Sequence, residues 1–270
     1  MKIAIFHGGD IFINPIAEDW RSKGHEVRLN PNYSVWPGFE PDMIWFEFCT
    51  SNIVAYTNNF VYKYGKAPIV VCRLHGVGAR LNIYKSVDWK HVDHLIFIND
   101  ALRSQCETGT DLSITNVHTI YNGVNLKEFT LKKDFSPTYK IAFVGRPTPM
   151  KGANDLGNIL ARFKVIDSRY ELHKAVGQIP HYDMNEWLED KDYLIHPSKV
   201  ESFCYSVAES MAKGIRPLIG RWDGAEETWG NEFFLDDFNL EQDPLRMRSI
   251  IEEKYNFERT LKEINNIVMS

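Results

Sequence analysis

A chain of 270 residues, 44% of them hydrophobic, can bury one large core or two modest ones, and its length slightly favours two domains. The formal net charge of -5 and the scatter of the 31 basic residues argue against a nucleic-acid partner. No apolar run reaches the about 18 residues of a membrane span, and Met1 leads straight into a short apolar stretch, so we expect neither a span nor a signal peptide.

The four cysteines are widely spaced, and no two of them form a Cys-x-x-Cys pair. They are Cys49, Cys72, Cys106 and Cys204. This spacing argues against a disulfide framework and against a cysteine-based zinc site. We therefore expect a cytoplasmic protein, and leave open its oligomeric state and a peripheral contact with a membrane.

In the first half of the chain, short apolar runs bounded by turn residues predict buried strands. These runs are residues 2–6, 43–48, 69–74, 95–98 and 117–121. A helix is predicted over residues 51–64, whose one face carries Ile53, Val54, Phe60, Val61 and Tyr64. Strands that alternate with helices imply a parallel sheet.

The pattern restarts after a polar stretch at residues 131–139, whose charges and proline predict a linker. Further strands are predicted at residues 141–144, 172–176, 193–196 and 217–219, with a helix that places Leu156, Ile159, Leu160 and Phe163 on one face. We expect two doubly wound α/β domains, residues 1–130 and 140–255. A C-terminal helix in residues 256–270 can pack back on the first domain.

Ligands of open parallel sheets bind beyond the carboxyl ends of the strands, where loops and helix N-termini present backbone N–H groups to anions. Two such sheets that face each other would form an interdomain cleft. A phosphorylated substrate in two parts suits a cleft of this kind.

The most informative segment, residues 196–214, reads H-P-S-K-V-E-S-F-C-Y-S-V-A-E-S-M-A-K-G. It predicts the end of a strand, a short loop and a helix that stops at Gly214. Glu201 and Glu209 are eight residues apart, so Glu201 lies at the helix entrance and Glu209 about two turns inside it. A capped helix with two exposed glutamates is the alternative interpretation.

This segment, P-S-x-x-E-S-F-x-x-x-x-x-E-x-M-A-x-G, resembles the signature of retaining family 4 glycosyltransferases, including their E-x7-E pair. Residues 141–152, I-A-F-V-G-R-P-T-P-M-K-G, are similar to the family's G-R-x-x-x-x-K-G element. The resemblance implies a GT-B fold, in which two Rossmann-like domains face an interdomain cleft. It also implies transfer of a sugar, with retention, from a nucleotide-diphosphate-sugar bound by the second domain to an unidentified acceptor.

Arg146 and Lys151 lie on one predicted loop, where a planar guanidinium and a point charge can together bind a diphosphate. Two solvated surface cations are the alternative. The resemblance implies that these residues neutralise the leaving diphosphate in place of a metal, so no metal or other cofactor is expected. It further assigns Glu201 to the transferred sugar, as a catalytic residue, and Glu209 to the donor ribose.

Weaker matches follow in the order that the family would place them. Gly8 and Gly9 resemble the glycine-rich loop near the donor diphosphate. Residues 21–27 resemble the family's structural join between a helix and a strand, and residues 121–125 resemble the turn that closes its first domain. His75, in Leu74-His75-Gly76, resembles the histidine that contacts the donor sugar, and this resemblance makes it the second predicted catalytic residue. A single histidine after a strand is also often structural, and we assign the other eight histidines to structure.

Ser202, Phe203 and Cys204 are expected beside the donor ribose and sugar. Cys204 stands where the family usually has a second glycine, so its side chain would narrow the pocket or shift the sugar. Residues 164–190 are short for the family's base-binding region, and Gly177, Gln178 and Ile179 are predicted to touch the base.

Two other functions compete with this prediction. Asp190-Lys191-Asp192 forms the D-x-D triplet with which metal-dependent GT-A glycosyltransferases hold a divalent cation, although here the triplet precedes a predicted strand. The chain could also be a catalytically inactive sugar-binding or nucleotide-binding protein. A retaining phosphorylase would share the same residues, so the direction of the reaction stays open.

Overall fold

The computed structural model describes residues 1–8, 10–29, 39–59 and 68–269. Within them the chain forms two compact units, Met1–Ile120 together with Leu261–Ser270, and Tyr121–Thr260. The second unit thus begins ahead of the predicted linker, and the last helix contributes residues to both units.

The first unit is built on a six-stranded parallel sheet in the order β2-β1-β3-β4-β5-β6. Its strands are β1 (Lys2–Phe6), β2 (Glu26–Leu29), β3 (Met43–Phe46), β4 (Ile69–Leu74), β5 (His94–Phe97) and β6 (Asn116–Thr119). Its helices are α1 (Asp10–Ser22), α2 (Ser51–Asn59), α3 (Gly76–Arg80) and α4 (Asp100–Glu107), with 3₁₀ turns at Ile83–Ser86 and Trp89–His91. The predicted parallel α/β architecture is confirmed.

The central strands of this sheet are mostly apolar, which is typical of parallel strands that are buried on both faces, although β4 carries the buried Arg73. Every residue of β3 is buried, and Trp45 of this strand packs edge-on against Trp20 of α1, with 5.4 Å between ring centroids. Helix α2 is described as far as Asn59. The remaining residues of the predicted 51–64 helix lie outside the described part of the chain.

The second unit contains a four-stranded parallel sheet in the order β10-β9-β7-β8. Its strands are β7 (Lys140–Val144), β8 (Glu171–Ala175), β9 (Tyr193–His196) and β10 (Arg216–Ile219). The helices that begin after these strands are α5 (Leu156–Ile166), α6 (Met184–Trp187), α7 (Tyr205–Ala212), α8 (Ala225–Trp229), α9 (Pro244–Lys254) and α10 (Phe257–Val268). Single 3₁₀ turns occur at Pro149–Lys151, Ala153–Asp155, His181–Asp183 and Asn231–Phe233.

The strand order reverses between β7 and β9. The chain leaves β7 toward β8 on one side, and β9 then pairs with the other side of β7, where Ile141 is opposite Tyr193. At such a point the loops after the two strands diverge and leave a crevice at their carboxyl ends. In the first sheet the corresponding point lies between β1 and β3.

The segment predicted as a linker, residues 131–139, is packed within the second unit. Lys132 is buried and donates to the carbonyl oxygen of Lys191 at 2.7 Å. Asp192 accepts hydrogen bonds from the backbone N–H groups of Thr138 and Tyr139, at 2.9 and 2.7 Å. Lys132 and Asp192 therefore hold this segment against the second unit, although its composition alone predicts a linker.

The structure bears on the expectations for the cysteines and for a membrane span. The four cysteines are all buried and none forms a disulfide. Among the described residues, no helix has both the length and the apolar character that crossing a membrane would require.

Gly152 lies where the loop that follows β7 contacts the loop that follows β9. Its φ of 69° lies in the left-handed region, and a Cβ built there would stand 2.1 Å from the carbonyl oxygen of Pro197. Only glycine permits this approach, because any side chain would both strain the backbone and displace the neighbouring loop. Gly152 therefore sets how closely the two loops pack.

We expect Gly152→Ala to lower the free energy of unfolding by about 2–4 kcal/mol, since it adds left-handed strain and a clash. Gly157→Ala is the matched control, because a Cβ at this position in α5 meets nothing within 4 Å. That change should instead raise stability by about 0.5–1 kcal/mol. Urea denaturation measures both, and equal effects of the two substitutions would contradict the role given to Gly152.

Candidate active site

The candidate site lies at the strand-order reversal of the second sheet. Two segments meet there, the β7 loop (residues 145–152) and the β9 loop (residues 197–204). The backbone N–H of Lys199 donates to the carbonyl oxygen of Met150 at 2.9 Å, and Ser198 Oγ lies 3.3 Å from the same oxygen. The two segments that carry the predicted motifs are thus held side by side.

Glu201 is the centre of this site. Its Oε1 atom lies 2.9 Å from Nε2 of His196 and makes a close ion pair with the Lys151 ammonium. An ionised carboxylate can only accept, so Nε2 of His196 carries the proton in this contact. The structure therefore brings together a cation of the β7 loop, a carboxylate of the β9 loop and the last residue of β9.

These contacts decide the charges at the site. Burial disfavours the charge of Glu201, but the hydrogen bond and positive charge of His196, together with Lys151, hold the pKa of the carboxyl at about 2. Burial likewise opposes the charge of His196, whereas Cys204 and Glu201 raise the pKa of its imidazole to about 9. Glu201 and His196 are both charged at neutral pH.

Arg146 stands apart from this cluster. It is exposed on the β7 loop, and its guanidinium makes no hydrogen bond or ion pair with any residue in the described ranges. An exposed guanidinium keeps all its donors for an incoming anion. Of the two predicted diphosphate-binding cations, Lys151 is thus engaged by Glu201 and Arg146 points to solvent.

Cys204 occupies a position that favours glycine. Its φ of 70° and ψ of 85° are left-handed, immediately before α7. Its Sγ lies 3.3 Å from the Ser206 hydroxyl, which in turn is 3.4 Å from Nδ1 of His196. The backbone conformation gives a physical reason for the glycine that the resembled motif usually has at this place, and the thiol lies near His196 and Glu201.

Phe203 and Ser202 differ in their surroundings. The Phe203 ring is 2% exposed and packs against Trp229 and Tyr255, with centroids 5.3 and 5.4 Å away. The side chain therefore belongs to the core, and only its backbone lies in the β9 loop. Ser202 is half-buried in the same loop.

Glu209 has a partner that the sequence did not indicate. It is buried in α7, and its Oε1 lies 2.8 Å from Nε2 of His181, whose Nδ1 is 3.4 Å from Glu128. The hydrogen bond to Glu209, reinforced by the negative charges of Glu209 and Glu128 and opposed by burial, raises the pKa of His181. In the sequence, only the position of His181 two residues after the predicted base-binding residue Ile179 could have marked it.

The predicted base-binding residues form the loop after β8. Gly177 and Gln178 are exposed, and Ile179 is half-buried. The Gln178 amide folds back on this loop, accepting from Val176 N at 2.7 Å and donating to the Lys174 carbonyl at 2.8 Å. Its side chain stabilises the loop in this conformation.

His75 lies in the first unit, after β4, and is held by a carboxylate that sequence reasoning missed. Its Nε2 is 3.0 Å from Glu47, which also accepts from Arg73 at 3.1 Å and from Trp45 Nε1 at 2.7 Å. Burial lowers the pKa of His75, although Glu47 opposes the effect. Glu47 follows β3 directly, and only its place after a buried strand could have marked it.

The remaining predicted residue of the first unit is the glycine pair after β1. Gly8 is exposed, and a Cβ there would make ordinary contact with Phe48 at 3.9 Å, so no steric demand requires glycine. Gly9 lies outside the described residues.

The D-x-D triplet is committed to structure. Asp192 caps residues 138 and 139, and Asp190 pairs with Lys140 at 2.6 Å and with Lys191. The triplet precedes β9 and so lies at the amino ends of the strands, opposite to the loops that form the candidate site. These contacts argue against the metal-dependent interpretation of this motif.

We expect the pKa of His181 to lie above its ordinary value and to fall in Glu209→Gln, which removes the charge of its nearer partner. Glu128→Gln is the matched control and should lower this pKa less, because the contact is longer. The ion pair should stabilise the fold fully below the ordinary pKa of histidine and lose this contribution as the pH rises through the raised pKa. Titration of the histidine ring signals by NMR measures these values, and an unshifted His181 in the unsubstituted chain would contradict the pairing.

No protein-family model matches the chain, and no curated protein matches it. Solved structures do. Sucrose-phosphate synthase from Thermosynechococcus elongatus has a TM-score of 0.70 at 14% identity, covering 99% of this chain and 98% of that one. HepE from Anabaena, solved in complex with UDP-glucose, has a TM-score of 0.67 at 13% identity over 100% and 99%.

A glycosyltransferase from Rickettsia africae is similar over 99% of this chain and 97% of that one, with a TM-score of 0.66 at 10% identity. The likeness in all three cases extends over both units. The chain therefore has the GT-B fold of glycosyltransferases.

Proposed function

We propose that the chain is a glycosyltransferase whose second unit binds a nucleotide-diphosphate-sugar and whose reaction transfers the sugar to an acceptor with retention, without a required metal. The observation that carries the proposal is the contact between Lys151 and Glu201. It joins the two motifs of the predicted donor site at the strand-order reversal of the sheet, which is the common ligand position in open α/β folds.

Arg146 and Lys151 would bind the diphosphate. Both lie on the β7 loop, and Arg146 is exposed with its donors directed to solvent. The Lys151 ammonium has three N–H donors, so it can keep one on Glu201 and offer the others to phosphate oxygens. Two cations beside the leaving diphosphate supply the charge that a divalent metal supplies in other enzymes.

Glu201 would contact the transferred sugar. With its pKa at about 2, the carboxyl is ionised at neutral pH and accepts hydrogen bonds from sugar hydroxyls. His196 and Lys151 hold it in place, so it needs little reorganisation when a sugar arrives. Glu209, buried in α7 and paired with His181, would accept from the ribose hydroxyls.

The reaction would proceed by departure of the diphosphate and attack of the acceptor on the same face of the sugar. Arg146 and Lys151 stabilise the negative charge as it develops on the leaving group, and the first turn of α7 adds its N-terminal dipole. No covalent intermediate with a protein side chain is required in this scheme. A contact of His75 with the donor sugar stays a prediction from the family resemblance.

A UDP-sugar is the first donor to test. HepE, which shares the fold over the whole chain, was solved with UDP-glucose, and this supports uridine nucleotides as starting probes. Other bases remain arms of the same screen, because Gly177, Gln178 and the half-buried Ile179 form a short loop that indicates no particular base.

We expect Arg146→Ala and Lys151→Ala each to weaken binding of UDP about 10- to 100-fold, since a charge-assisted hydrogen bond contributes about 1.5–3 kcal/mol. Lys164→Ala is the control, because this exposed lysine lies in the last turn of α5 and should leave the affinity unchanged. Isothermal titration calorimetry in EDTA measures all three. Unchanged affinity in both test variants would overturn the diphosphate assignment.

Glu209→Gln and Glu201→Gln should separate the two glutamates. We expect Glu209→Gln to weaken free nucleotide binding about 10-fold or more, since it removes a buried charged acceptor. Glu201→Gln should instead lower kcat for donor hydrolysis or transfer more than it lowers nucleotide affinity. Steady-state kinetics with calorimetry gives both quantities, and the opposite pattern would mean that the two roles are exchanged.

A further inference from the structure

Three side chains of types that can bind a metal converge inside the candidate site. One ligand atom each of His196, Glu201 and Cys204 lies within 4.8 Å of the other two. His196 and Cys204 are buried, and Glu201 is half-buried, so all three are held by their surroundings. Within the described ranges this is the one group of at least three histidine, cysteine or acidic residues with such a geometry.

The combination of an imidazole nitrogen, a carboxylate oxygen and a thiolate sulfur suits zinc and related divalent metals of borderline softness. Bonds of about 2.0–2.3 Å at tetrahedral angles place the ligand atoms about 3.3–3.6 Å apart. The nearest atoms of His196 and Glu201 are 2.9 Å apart, and one ligand atom of Cys204 lies within 4.8 Å of both. Side-chain rotations that bring the three atoms to the separations above would fill three of four tetrahedral positions.

The backbone of Cys204 is an independent observation. Its φ of 70° places a non-glycine residue in the left-handed region, where a Cβ has a cost in free energy. Glycine would remove this cost. A strained residue within a candidate site is a reason to look for a function of its side chain, and here that side chain is a thiol directed at His196 and Glu201.

We propose that His196, Glu201 and Cys204 form a three-ligand site for zinc or a chemically similar divalent cation, and that its occupation blocks sugar transfer. On binding, the Cys204 thiol and the His196 imidazolium each release one proton to solvent, and His196 binds through the neutral nitrogen that results. The fourth position remains for water. The metal site itself does not depend on the proposed function, but the block of transfer rests on it.

The block follows from competition for one carboxylate. Glu201 is paired with the Lys151 ammonium, and a divalent cation on the same oxygen would repel this charge. The metal would also occupy the acceptor oxygens that the donor sugar is proposed to use. Lys151 is therefore a competitor of the metal, and its removal should strengthen metal binding.

Cobalt(II) is the probe, since a thiolate ligand gives it a charge-transfer band in the near ultraviolet. We expect one equivalent to bind the full chain, kept reduced with a thiol-free reductant, and to produce this band. Cys204→Gly should abolish the band, and it should fold because the left-handed position favours glycine. His196→Gln should weaken binding about 10-fold or more, and Lys151→Ala should tighten it.

Cys106→Ala is the matched cysteine control, because Cys106 is buried in the first unit and should not affect the band. Absence of the band in the unsubstituted chain, or its persistence in folded Cys204→Gly, would overturn the metal site. Circular dichroism establishes folding of each variant.

The inhibitory part is tested separately with zinc. Each variant is compared with its own activity in EDTA, and zinc should inhibit the unsubstituted chain at least about 10-fold more than Cys204→Gly. Equal inhibition of the two would overturn the block. A cobalt band without transfer under any condition would instead refute the proposed function while leaving the metal site in place.

Discussion

The carboxylate of Glu201 is the group on which the candidate site depends. It follows β9, whereas its cation partner Lys151 follows β7, and the pairing of these two strands in the sheet makes their loops neighbours. Gly152 then lets the β7 loop approach the carbonyl of Pro197. The positive charges of His196 and Lys151 compensate the cost of burying the negative charge of Glu201. The carboxylate therefore stays ionised at the place where the leaving group and the sugar are proposed to bind.

The first unit also buries a carboxylate whose charge is compensated by neighbouring donors. Glu47 follows β3 at the strand-order reversal and is completely buried, yet three donors from Trp45, Arg73 and His75 compensate its charge. The two carboxylates differ in what surrounds them. Glu47 is enclosed by donors from the ends of β3 and β4, whereas Glu201 has the exposed loop of Arg146 beside it. This difference in access favours the second unit as the place where a charged ligand is recognised.

The sequence predicted the fold better than it predicted the contacts between side chains. Short, mostly apolar runs identified β1, β4 and β9 with their observed bounds, because parallel strands that are buried on both faces are rich in apolar residues. Glu201 and Lys151 were each singled out, but their contact was not, since partners 50 residues apart are joined only by topology. The pairing of His181 with Glu209 has the same cause. Cys204 could be recognised as unusual, whereas its left-handed backbone could not.

We propose that this site promotes departure of a nucleoside diphosphate without a metal. The most direct measurement is release of nucleoside diphosphate from a panel of nucleotide sugars in EDTA without added acceptor, with NMR of the sugar that is first formed. We predict slow release from at least one α-linked donor, with the α anomer formed first. Binding of a nucleotide sugar without any release would indicate a non-catalytic binding protein. Release only when manganese is added, or the β anomer first, would contradict the account.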